Sequence, residues 1–360
     1  MNLLELQSID SYMKKRILLT GASGTVGYET LLHLMKNTNN EITVFDLKTK
    51  RSVKMLSAFK NRIQIVHGDI GNREALEMAT KEKDAVIHLA AIIPPHSDEN
   101  PGLAYRVNVQ GTKNLVEALE KNSPQCFFLF SSSVSVYGDR IGSPEILVTD
   151  RLIPSEGDLY GRSKVLCEEI IRQSNLSWSI FRLSAIMGNH KISKLMFHMP
   201  LETIMEICTP EDTGRAFSNA IAFENQLKSR IFNLGGGRDC VIKYRSFLER
   251  MFASYGLGEL KFPKRAYAEK NFHCGIMADG HELEKIIHFR RQDLNDYFAM
   301  VDQKVDTIQK KLTFLFRKMI KCWLLWQSEP YRAFRNENKK GMEHFFNGTV
   351  LRPNSNTSIF

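Results

Sequence analysis

Tyr160 and Lys164 are the residues of this sequence whose types and spacing point most directly to chemistry. They lie four residues apart in a segment of helical pattern, so both side chains project from one face of a helix, one turn apart. A tyrosine is a poor base near neutral pH because its ordinary pKa is about 10. A neighbouring ammonium stabilises the phenolate and lowers that pKa, which makes the pair a candidate general acid/base. The alternative is a solvent-exposed pair of a kind common on helices.

A glycine-rich turn near the start of the chain predicts a phosphate site. Its spacing is G-x-x-G-x-x-G, between the end of the first predicted strand and the start of the first predicted helix. Glycines there allow a tight turn and let backbone N–H groups approach a pyrophosphate, while the helix dipole favours the anion. We therefore predict a dinucleotide site, with an ordinary glycine turn as the alternative. The candidate residues are Gly21, Ser23, Gly24, Thr25, Val26 and Gly27.

Asp46 ends the second predicted strand, 19 residues after Gly27. An acid at this position can accept hydrogen bonds from the hydroxyls of an adenosine ribose. It also repels a 2′-phosphate, so the sequence favours NAD over NADP. Lys48, Lys50 and Arg51 follow closely and partly offset that repulsion, which leaves NADP as an alternative.

Two further strand ends complete the expected cofactor site. Asp69 and Ile70 follow the third strand, where a carboxylate can accept from an adenine amino group. The alternative for Asp69 is a cap for the helix predicted from Arg73. His88, at the end of the fourth strand, is expected to be a hydrogen-bonded core histidine. The small residues after it would let a cofactor lie against the backbone, and the candidates there are Leu89, Ala90 and Ala91.

Short apolar segments alternate with helical ones along the first part of the chain. The predicted strands are 16–20, 41–46, 62–67, 84–89 and 125–131, and the predicted helices include 26–37, 73–80 and 103–121. Strands that are apolar on both faces are typical of a parallel sheet covered on each side. Alternation of strands and helices indicates βαβ crossovers. We therefore predict an α/β fold with a Rossmann-type doubly wound parallel sheet.

The motifs together resemble the extended short-chain dehydrogenases of the NAD-dependent epimerase/dehydratase family, whose best-known member is UDP-glucose 4-epimerase. The resemblance is strong over 16–188 and weak to about 258. It rests on T-G-x-x-G-x-x-G from Thr20, G-D-I from Gly68, H-L-A-A from His88, N-V-Q-G-T from Asn108, S-S-S-V-S-V-Y-G from Ser131 and Y-G-R-S-K from Tyr160.

This resemblance implies roles for three residues. Tyr160 would be the general acid/base, Lys164 would hold the nicotinamide ribose and tune the tyrosine, and Ser133 would orient the substrate oxygen. Ser133 is chosen among adjacent serines because it precedes Tyr137 by four residues, as in the family's S-x-x-x-Y-G pattern. Asn108 is expected to pin a helix kink and no more.

The resemblance further implies an NAD(P)-dependent oxidoreductase that transfers a hydride at a secondary alcohol or carbonyl. A sugar or nucleotide-sugar 4-epimerase is the alternative, and a catalytically idle NAD-binding sensor or scaffold is a distant one. A dehydratase is disfavoured because Val134, Ser135 and Val136 stand where the family's dehydratases carry acids. The expected substrate is a small molecule, a sugar derivative, and the expected assembly is a homodimer. No metal site is expected.

The chain is expected to divide into four parts. Residues 1–13 read as a dispensable extension, 14–188 as the cofactor domain, 189–289 as a substrate lobe interleaved with the last strands of the sheet, and 290–360 as a basic helical tail. A sixth strand is predicted at 178–183, and Ile207 is predicted to start the next. Only 18 residues separate Gly188 from Ile207, so the lobe is trimmed and a UDP-sugar substrate is doubtful.

Composition narrows the class of protein. The chain has 360 residues, 43% hydrophobic and 25% charged, which excludes disordered, collagen-like and disulfide-stapled chains. No apolar run approaches the ~18–20 residues of a spanning helix. Six scattered cysteines argue against zinc or disulfides and suit a reducing cytoplasm. From Arg290 onward there are 13 Lys or Arg against 7 Asp or Glu, whereas the body is nearly balanced, so nucleic-acid binding is not expected.

The tail carries a second pattern. Apolar residues recur mostly three or four apart and predict one helical stripe with lysines and arginines mainly on the other side. We expect this stripe to pack on the catalytic domain or on a second subunit, and peripheral membrane contact is the less favoured alternative. The stripe consists of Val305, Ile308, Leu312, Leu315, Met319, Ile320, Trp323 and Trp326.

Overall fold

The structure is a computed structural model that describes residues 14–188 and 192–347. The predicted extension 1–13, the lobe residues 189–191 and the last residues of the predicted tail, 348–360, lie outside the described residues.

Seven parallel strands form the main sheet, in the order β10-β7-β5-β4-β1-β2-β3. β1 pairs with both β2 and β4, so the strand order reverses between β1 and β4. In sheets of this type ligands bind at that reversal, beyond the carboxyl ends of the strands. The strands are β1 (Arg16–Thr20), β2 (Glu41–Asp46), β3 (Gln64–His67), β4 (Ala85–His88), β5 (Phe127–Ser133), β6 (Glu145–Ile146), β7 (Ser177–Leu183), β8 (Ala185–Ile186), β9 (Ile204–Cys208), β10 (Arg230–Leu234), β11 (Val241–Lys243) and β12 (Ile276–Met277).

Helices cover both faces of the main sheet. Ile17 and Leu19 of β1 pack into one apolar cluster, and Leu18 between them packs into another on the opposite face. The helices are α1 (Thr25–Leu34), α2 (Lys50–Ser57), α3 (Arg73–Ala79), α4 (His96–Glu99), α5 (Pro101–Tyr105), α6 (Gly111–Asn122), α7 (Leu159–Arg172), α8 (Pro210–Ala220), α9 (Glu224–Leu227), α10 (Tyr244–Tyr255), α11 (His281–Ile287), α12 (Leu294–Lys304), α13 (Thr307–Gln327), α14 (Glu329–Arg335) and α15 (Lys339–Phe345). The predicted Rossmann-type doubly wound sheet is confirmed.

Several predicted elements differ from those observed, most of them by one to three residues at an end. Ile207 does not start a strand, because β9 begins at Ile204 and the backbone pairing with β11 already includes that residue. The long helix predicted over 103–121 is divided by a π-helical turn, Arg106–Gln110, between α5 and α6. Asn108 lies in that turn and exchanges hydrogen bonds with the backbone of Ile92 at 2.8 and 2.9 Å. Asn108 therefore holds the π-helical turn at the position where a helix kink was expected.

The lobe beyond the main sheet has its own core. It contains a three-stranded sheet in the order β11-β9-β8 and the parallel pair β6 and β12. The lobe is interleaved with the main sheet, since β10 and α8 return to it. Gly214 of α8 lies so close to α1 that an added Cβ would be 2.6 Å from the backbone of Glu29 and Thr30.

The predicted tail is not one unit. Tyr297, Phe298 and Val301 of α12 are buried in the core of the lobe, so the chain just after Arg290 is part of that core. The predicted apolar stripe is also divided: Val305 and Ile320 contact the same core, whereas its other six members are exposed. Packing of the whole stripe on the catalytic domain, one of the two expected arrangements, is therefore wrong, since within the described part of the chain α13 meets the lobe core only through Ile320, Leu324 and Leu325. Packing on a second subunit stays a prediction.

None of the helices within 14–188 and 192–347 is both long enough and apolar enough to cross a membrane.

Candidate active site

The glycine turn forms a close cradle between β1 and α1. Gly21 has φ +74°, and a Cβ added there would lie 2.7 Å from the backbone nitrogen of Ala90. A Cβ on Gly27 would lie 2.1 Å from the carbonyl oxygen of Gly21. Gly24 is the N-cap of α1 and offers no side chain to the N–H groups of Thr25 and the residues after it. These N–H groups, at the positive end of the helix dipole, remain available to an anion.

Asp46 lies at the carboxyl end of β2 beside this cradle. It is buried, and its two oxygens accept from the backbone N–H and the hydroxyl of Ser23 at 2.7 and 3.0 Å. Lys48, Lys50 and Arg51 are exposed beyond it. The carboxylate thus braces the turn, and each of its oxygens keeps a further lone pair for a hydroxyl donor.

Asp69 and Ile70 lie at the end of β3. Asp69 accepts from the backbone N–H of Gly71 at 2.8 Å and is 3.5 Å from the guanidinium of Arg106. The alternative that Asp69 caps the next helix is wrong, because Asn72 is the N-cap of α3 and accepts from its first N–H groups. Ile70 is buried and packs into the sheet core.

The segment after β4 lies against the cradle. Leu89, Ala90 and Ala91 are half-buried, and the N–H groups of Leu89 and Ala90 both donate to the Thr20 hydroxyl at 3.2 Å. His88 is a core histidine, with its ring nitrogens 2.7 Å from the hydroxyl of Thr20 and 3.0 Å from that of Thr112. Burial lowers the pKa of His88 to about 3, so its ring is neutral.

Tyr160 lies in the first turn of α7, with its ring facing the end of β5. Burial raises the pKa of its phenol, the neighbouring Asp158 carboxylate raises it further, and a hydrogen bond with Ser133 opposes both. Asp158 is fixed as the N-cap of α7 by the backbone N–H of Gly161, at 2.7 Å. The phenol is therefore protonated near neutral pH in the protein alone.

Lys164 is almost fully buried one turn after Tyr160. Its ammonium lies 5.7 Å from the centre of the Tyr160 ring and 4.5 Å from that of Phe130, and it donates to the carbonyl oxygen of Ser131 at 2.6 Å. Burial lowers its pKa to about 8. Four-residue spacing on α7 has thus brought the two groups together as the sequence predicted, with a buried cation beside the phenol.

The three serines that end β5 have different partners. Ser131 offers its carbonyl to Lys164, and Ser132 is buried and donates to Glu168 at 2.5 Å. Ser133 faces Tyr160, and its hydroxyl oxygen also accepts from the N–H and hydroxyl of Ser135 at 3.2 and 3.0 Å. The structure therefore brings the third serine, the one chosen from the sequence, to the tyrosine.

Behind β5 lies a buried ion pair to which the sequence analysis gave no role. Arg182 of β7 donates to both carboxylate oxygens of Glu168, at 3.0 and 2.7 Å, and each side chain is under 5% exposed. Glu168 also accepts from Ser132, so the pair is tied to the serine end of β5. The signal that could have revealed it is a lone arginine inside an apolar strand, since a buried charge requires a partner.

A hydrogen-bond chain extends from this arginine to the lobe. Arg182 also donates to the Tyr137 hydroxyl at 2.8 Å, and that hydroxyl donates to Asn233 at 2.7 Å. Asn233 in turn donates to Asp279 at 2.8 Å. Burial raises the pKa of Tyr137 to about 12, so it stays a neutral donor. Together with the contact of Glu168 with Ser132, this hydrogen-bond network therefore links β5, β7, β10 and the lobe behind the Ser133–Tyr160 pair.

These residues fit a dinucleotide. The cradle excludes a Cβ at two glycines, an anion can meet the uncapped start of α1, and a carboxylate stands at the end of β2. The model of the NAD dependent epimerase/dehydratase family matches residues 17–235, which is well over half of the chain and includes every residue named above as a site candidate. The chain belongs to this family.

Curated relatives include both dehydrogenases and epimerases. The chain is 30% identical over 158 residues to D-erythronate dehydrogenase of Haemophilus influenzae, covering 43% of this chain and 49% of that protein. It is 35% identical over 185 residues to an N-acetyl-alpha-D-glucosaminyl-diphospho-ditrans,octacis-undecaprenol 4-epimerase of Escherichia coli O157:H7, covering 49% and 50%. It is 33% identical over 183 residues to UDP-glucose 4-epimerase 2 of Arabidopsis thaliana, covering 48% and 51%. The chain thus matches about half the length of these relatives.

Solved structures share the fold of this family member. A dTDP-glucose 4,6-dehydratase from Streptomyces venezuelae, with NAD bound, superposes with a TM-score of 0.66 at 22% identity, covering 80% of this chain and 96% of that one. A UDP-glucuronic acid 4-epimerase from Bacillus cereus, with UDP-glucuronic acid and NAD, gives 0.65 at 18% identity, covering 80% and 99%. At these identities the likeness establishes the fold alone.

Proposed function

We propose that this protein is an NAD-dependent enzyme that transfers a hydride at a secondary alcohol or carbonyl carbon of a sugar derivative. The observation that carries the proposal is the placement of Ser133, Tyr160 and buried Lys164 at the carboxyl end of β5. That strand end lies beside β4 and β1, whose own ends form the glycine cradle. A proton-transfer group and a dinucleotide cradle therefore open at one edge of the sheet.

The cradle residues would hold the cofactor. The N–H groups of Thr25 and Val26, at the start of α1, would meet the pyrophosphate, and Asp46 would accept from the adenosine ribose. The negative charge of Asp46 favours NAD over NADP. Bound NAD supplies the acceptor or donor of the hydride. Asp69, at the end of β3, would receive the adenine amino group.

Tyr160 would hold the proton that leaves or returns to the substrate oxygen. Its phenol is protonated in the protein alone, which suits donation to a carbonyl oxygen. In the reverse direction it must lose that proton, and the Lys164 ammonium near the ring favours the phenolate. Ser133, whose hydroxyl lies near the Tyr160 phenol, would orient the same substrate oxygen. Proton transfer would then occur between groups fixed by one strand and one helix.

The second candidate is 4-epimerisation of a sugar derivative. It is favoured by the relatives that are 33% and 35% identical over the site-bearing half of the chain, both of which are 4-epimerases. Hydride would then leave and return at the same carbon, without net oxidation. A sugar acid, a nucleotide sugar and a polyprenyl-diphosphate-linked sugar are the substrate forms that the relatives' names suggest.

The deciding experiment incubates the full chain with NAD or NADH and each of these substrate forms. A net oxidoreductase changes absorbance at 340 nm in proportion to product. An epimerase leaves absorbance nearly constant, and the isomer appears by NMR. Titration calorimetry measures NAD binding separately. Binding of NAD with neither outcome across the panel would favour the idle sensor and contradict the proposal.

Tyr160→Phe is the matched variant, because it removes the phenol oxygen and little else. We expect it to lower turnover by ~10²–10⁴-fold, the usual contribution of a general acid/base, while NAD binding stays nearly unchanged. Tyr105→Phe, at an exposed tyrosine on α5, is the control and should leave turnover intact. Wild-type turnover in Tyr160→Phe would refute the assigned role.

Two further expectations accompany this proposal. All six cysteines are free, and five of them are buried, which supports a reducing compartment such as the cytoplasm. A homodimer stays a prediction, and light scattering on the purified chain tests it.

A further inference from the structure

The helix α13 presents a broad apolar surface to solvent. Leu315, Met319 and Trp326 are 71%, 69% and 71% exposed, values otherwise rare for large apolar side chains in this protein. A contiguous exposed patch of this kind marks an interaction surface. We call it the apolar face of α13, and it consists of Ile308, Leu312, Leu315, Phe316, Met319, Trp323 and Trp326.

This face points away from the rest of the protein. With about 100° of rotation per residue, its members fall within roughly one third of the helix circumference. Leu324, about 180° around the helix from Leu315, packs into the core of the lobe, and Ile320, which borders the apolar face beside Phe316, packs there as well. Trp323 also borders an open groove of ≈ 470 Å³ whose walls include Leu257 and Ile320. The helix is thus attached along a narrow seam, and its wide apolar side has no partner within the described residues.

The charge on α13 has a single sign. Its 21 residues include five Lys or Arg and no Asp or Glu. Lys311 and Lys318 are exposed, two turns apart, along one edge of the apolar face. Lys321 instead donates to the carbonyl oxygen of Glu259 at 2.6 Å, which fixes the opposite side of the helix to the lobe. A partner for this surface must combine an apolar interior with negative charge at its boundary.

We infer that α13 docks this protein on the surface of an anionic phospholipid bilayer, with the helix axis parallel to the membrane plane. The helix is about 30 Å long, its apolar face would enter the acyl boundary, and Lys311 and Lys318 would meet the phosphates. Trp323 and Trp326 are of the residue type that prefers the membrane interface. A second copy of this chain is a poorer fit, because pairing two such helices would bring their cations together.

The end of α13 is joined to the lobe by contacts of the residues that follow it. The tryptophan end of the helix leads through Ser328 directly into α14. There Glu329 contacts the ammonium of Lys194 at 3.4 Å and the imidazole of His198 at 3.3 Å. The Ser328 hydroxyl donates to the carbonyl oxygen of Ala266 at 2.7 Å. The inference rests on this surface alone and does not depend on the proposed hydride transfer.

Vesicle co-sedimentation of the full chain tests the inference. We expect binding to vesicles of phosphatidylcholine with phosphatidylglycerol, and much weaker binding to phosphatidylcholine alone or in high salt. Leu315→Glu with Met319→Glu should abolish binding, whereas Met78→Glu, at an equally exposed site on α3, should not. All three side chains are on the surface, so both variants should fold, and retained NAD binding would verify this.

Removing positive charge should weaken binding by a calculable amount. Each basic residue near an anionic surface contributes about fivefold, so Lys311→Gln with Lys318→Gln should weaken partitioning by roughly 30-fold. The matched control is Lys60→Gln with Lys81→Gln, at exposed lysines of the cofactor domain. This control should bind as the wild type does.

Tryptophan fluorescence locates the contact. The chain has three tryptophans, and Trp178 lies in β7, packed against the sheet core. Anionic vesicles should shift the emission to the blue and brominated lipid should quench it, in the wild type and in Trp178→Phe. Trp323→Phe with Trp326→Phe should lose both signals while still sedimenting with vesicles.

Two outcomes would overturn the inference. The first is absence of vesicle binding by a protein that is folded and binds NAD. The second is a stable dimer that Leu315→Glu with Met319→Glu converts to monomer by light scattering, since the apolar face would then be covered by a second copy.

Discussion

Replacing Lys164 by methionine should make the protein less active and more stable at the same time. Burial lowers the pKa of this lysine from 10.5 to about 8. A difference of about 2.5 pKa units corresponds to about 3 kcal/mol of unfavourable free energy for keeping the ammonium charged in the folded state at pH 7. Methionine has a similar length and no charge, so it removes that penalty.

Part of this gain in stability is offset by the contacts that the Lys164 ammonium makes and methionine cannot make. The Lys164 ammonium donates to the Ser131 carbonyl at 2.6 Å, and an intramolecular hydrogen bond contributes about 1 kcal/mol net. We therefore expect Lys164→Met to raise the free energy of unfolding by about 2 kcal/mol at pH 7. NAD binding and turnover should both fall, because the variant lacks the cation that the proposed mechanism requires.

The sign of the pH dependence follows from the lowered pKa. Between pH 8 and pH 10.5 the unfolded chain binds the proton of Lys164 and the folded protein does not, so wild-type stability gains from this group as pH rises. The advantage of Lys164→Met should therefore shrink over that range and vanish by about pH 10. Below pH 8 it should be constant.

Urea unfolding at pH 7 and pH 10 measures this difference, with Lys113→Met as the control. Lys113 is exposed on α6, so its replacement should change stability by less than about 0.5 kcal/mol at either pH. The reasoning would be refuted if Lys164→Met were less stable than wild type at pH 7. It would also be refuted if the difference did not depend on pH.

Three other perturbations have definite expected outcomes. Asp46→Ala should narrow the affinity ratio of NAD to NADP by about tenfold, as measured by titration calorimetry with both cofactors, because it removes the charge that repels a 2′-phosphate. Arg182→Met should lower the free energy of unfolding by about 3–5 kcal/mol in urea titrations by leaving Glu168 buried without its cation, and adding Glu168→Leu should recover much of it. His88 is buried and neutral in the folded protein, with its pKa lowered to about 3, so between pH 6.5 and pH 4 only the unfolded chain binds its proton. The free energy of unfolding should therefore fall by about 3 kcal/mol as pH falls from 6.5 to 4, as measured by thermal unfolding across that range.

The sequence by itself determined the sheet and the positions of the candidate site along the chain. Five short apolar strands alternating with helices predicted parallel βαβ units, because local hydrophobic period reflects which faces are covered. Tyr160 and Lys164 could be paired from their spacing alone, since helical geometry fixes neighbours four residues apart. The glycine turn was equally local, and the crowding of Gly27 against the Gly21 carbonyl lies within it, whereas Gly21 is crowded by Ala90 of the segment after β4.

Only the tertiary structure decided which groups meet across the sheet. The contact of Arg182 with Glu168, and its continuation through Tyr137 to Asn233, joins residues from different elements, and no local pattern encodes such partners. Asp69 lies three residues before the actual N-cap, Asn72, and instead accepts from the backbone N–H of Gly71 and contacts Arg106 of a different element.

The tail shows most clearly which features a local sequence pattern leaves undetermined. Its apolar period predicted a helix with one stripe, and α13 is that helix. The period did not determine which apolar residues face the protein. Their burial depends on how the lobe is positioned against the helix, which the pattern of the helix itself does not encode. In the folded chain α12 belongs to the core and a narrow seam of α13 rests on it. The broad face that includes Leu315 and Trp326 is left to solvent.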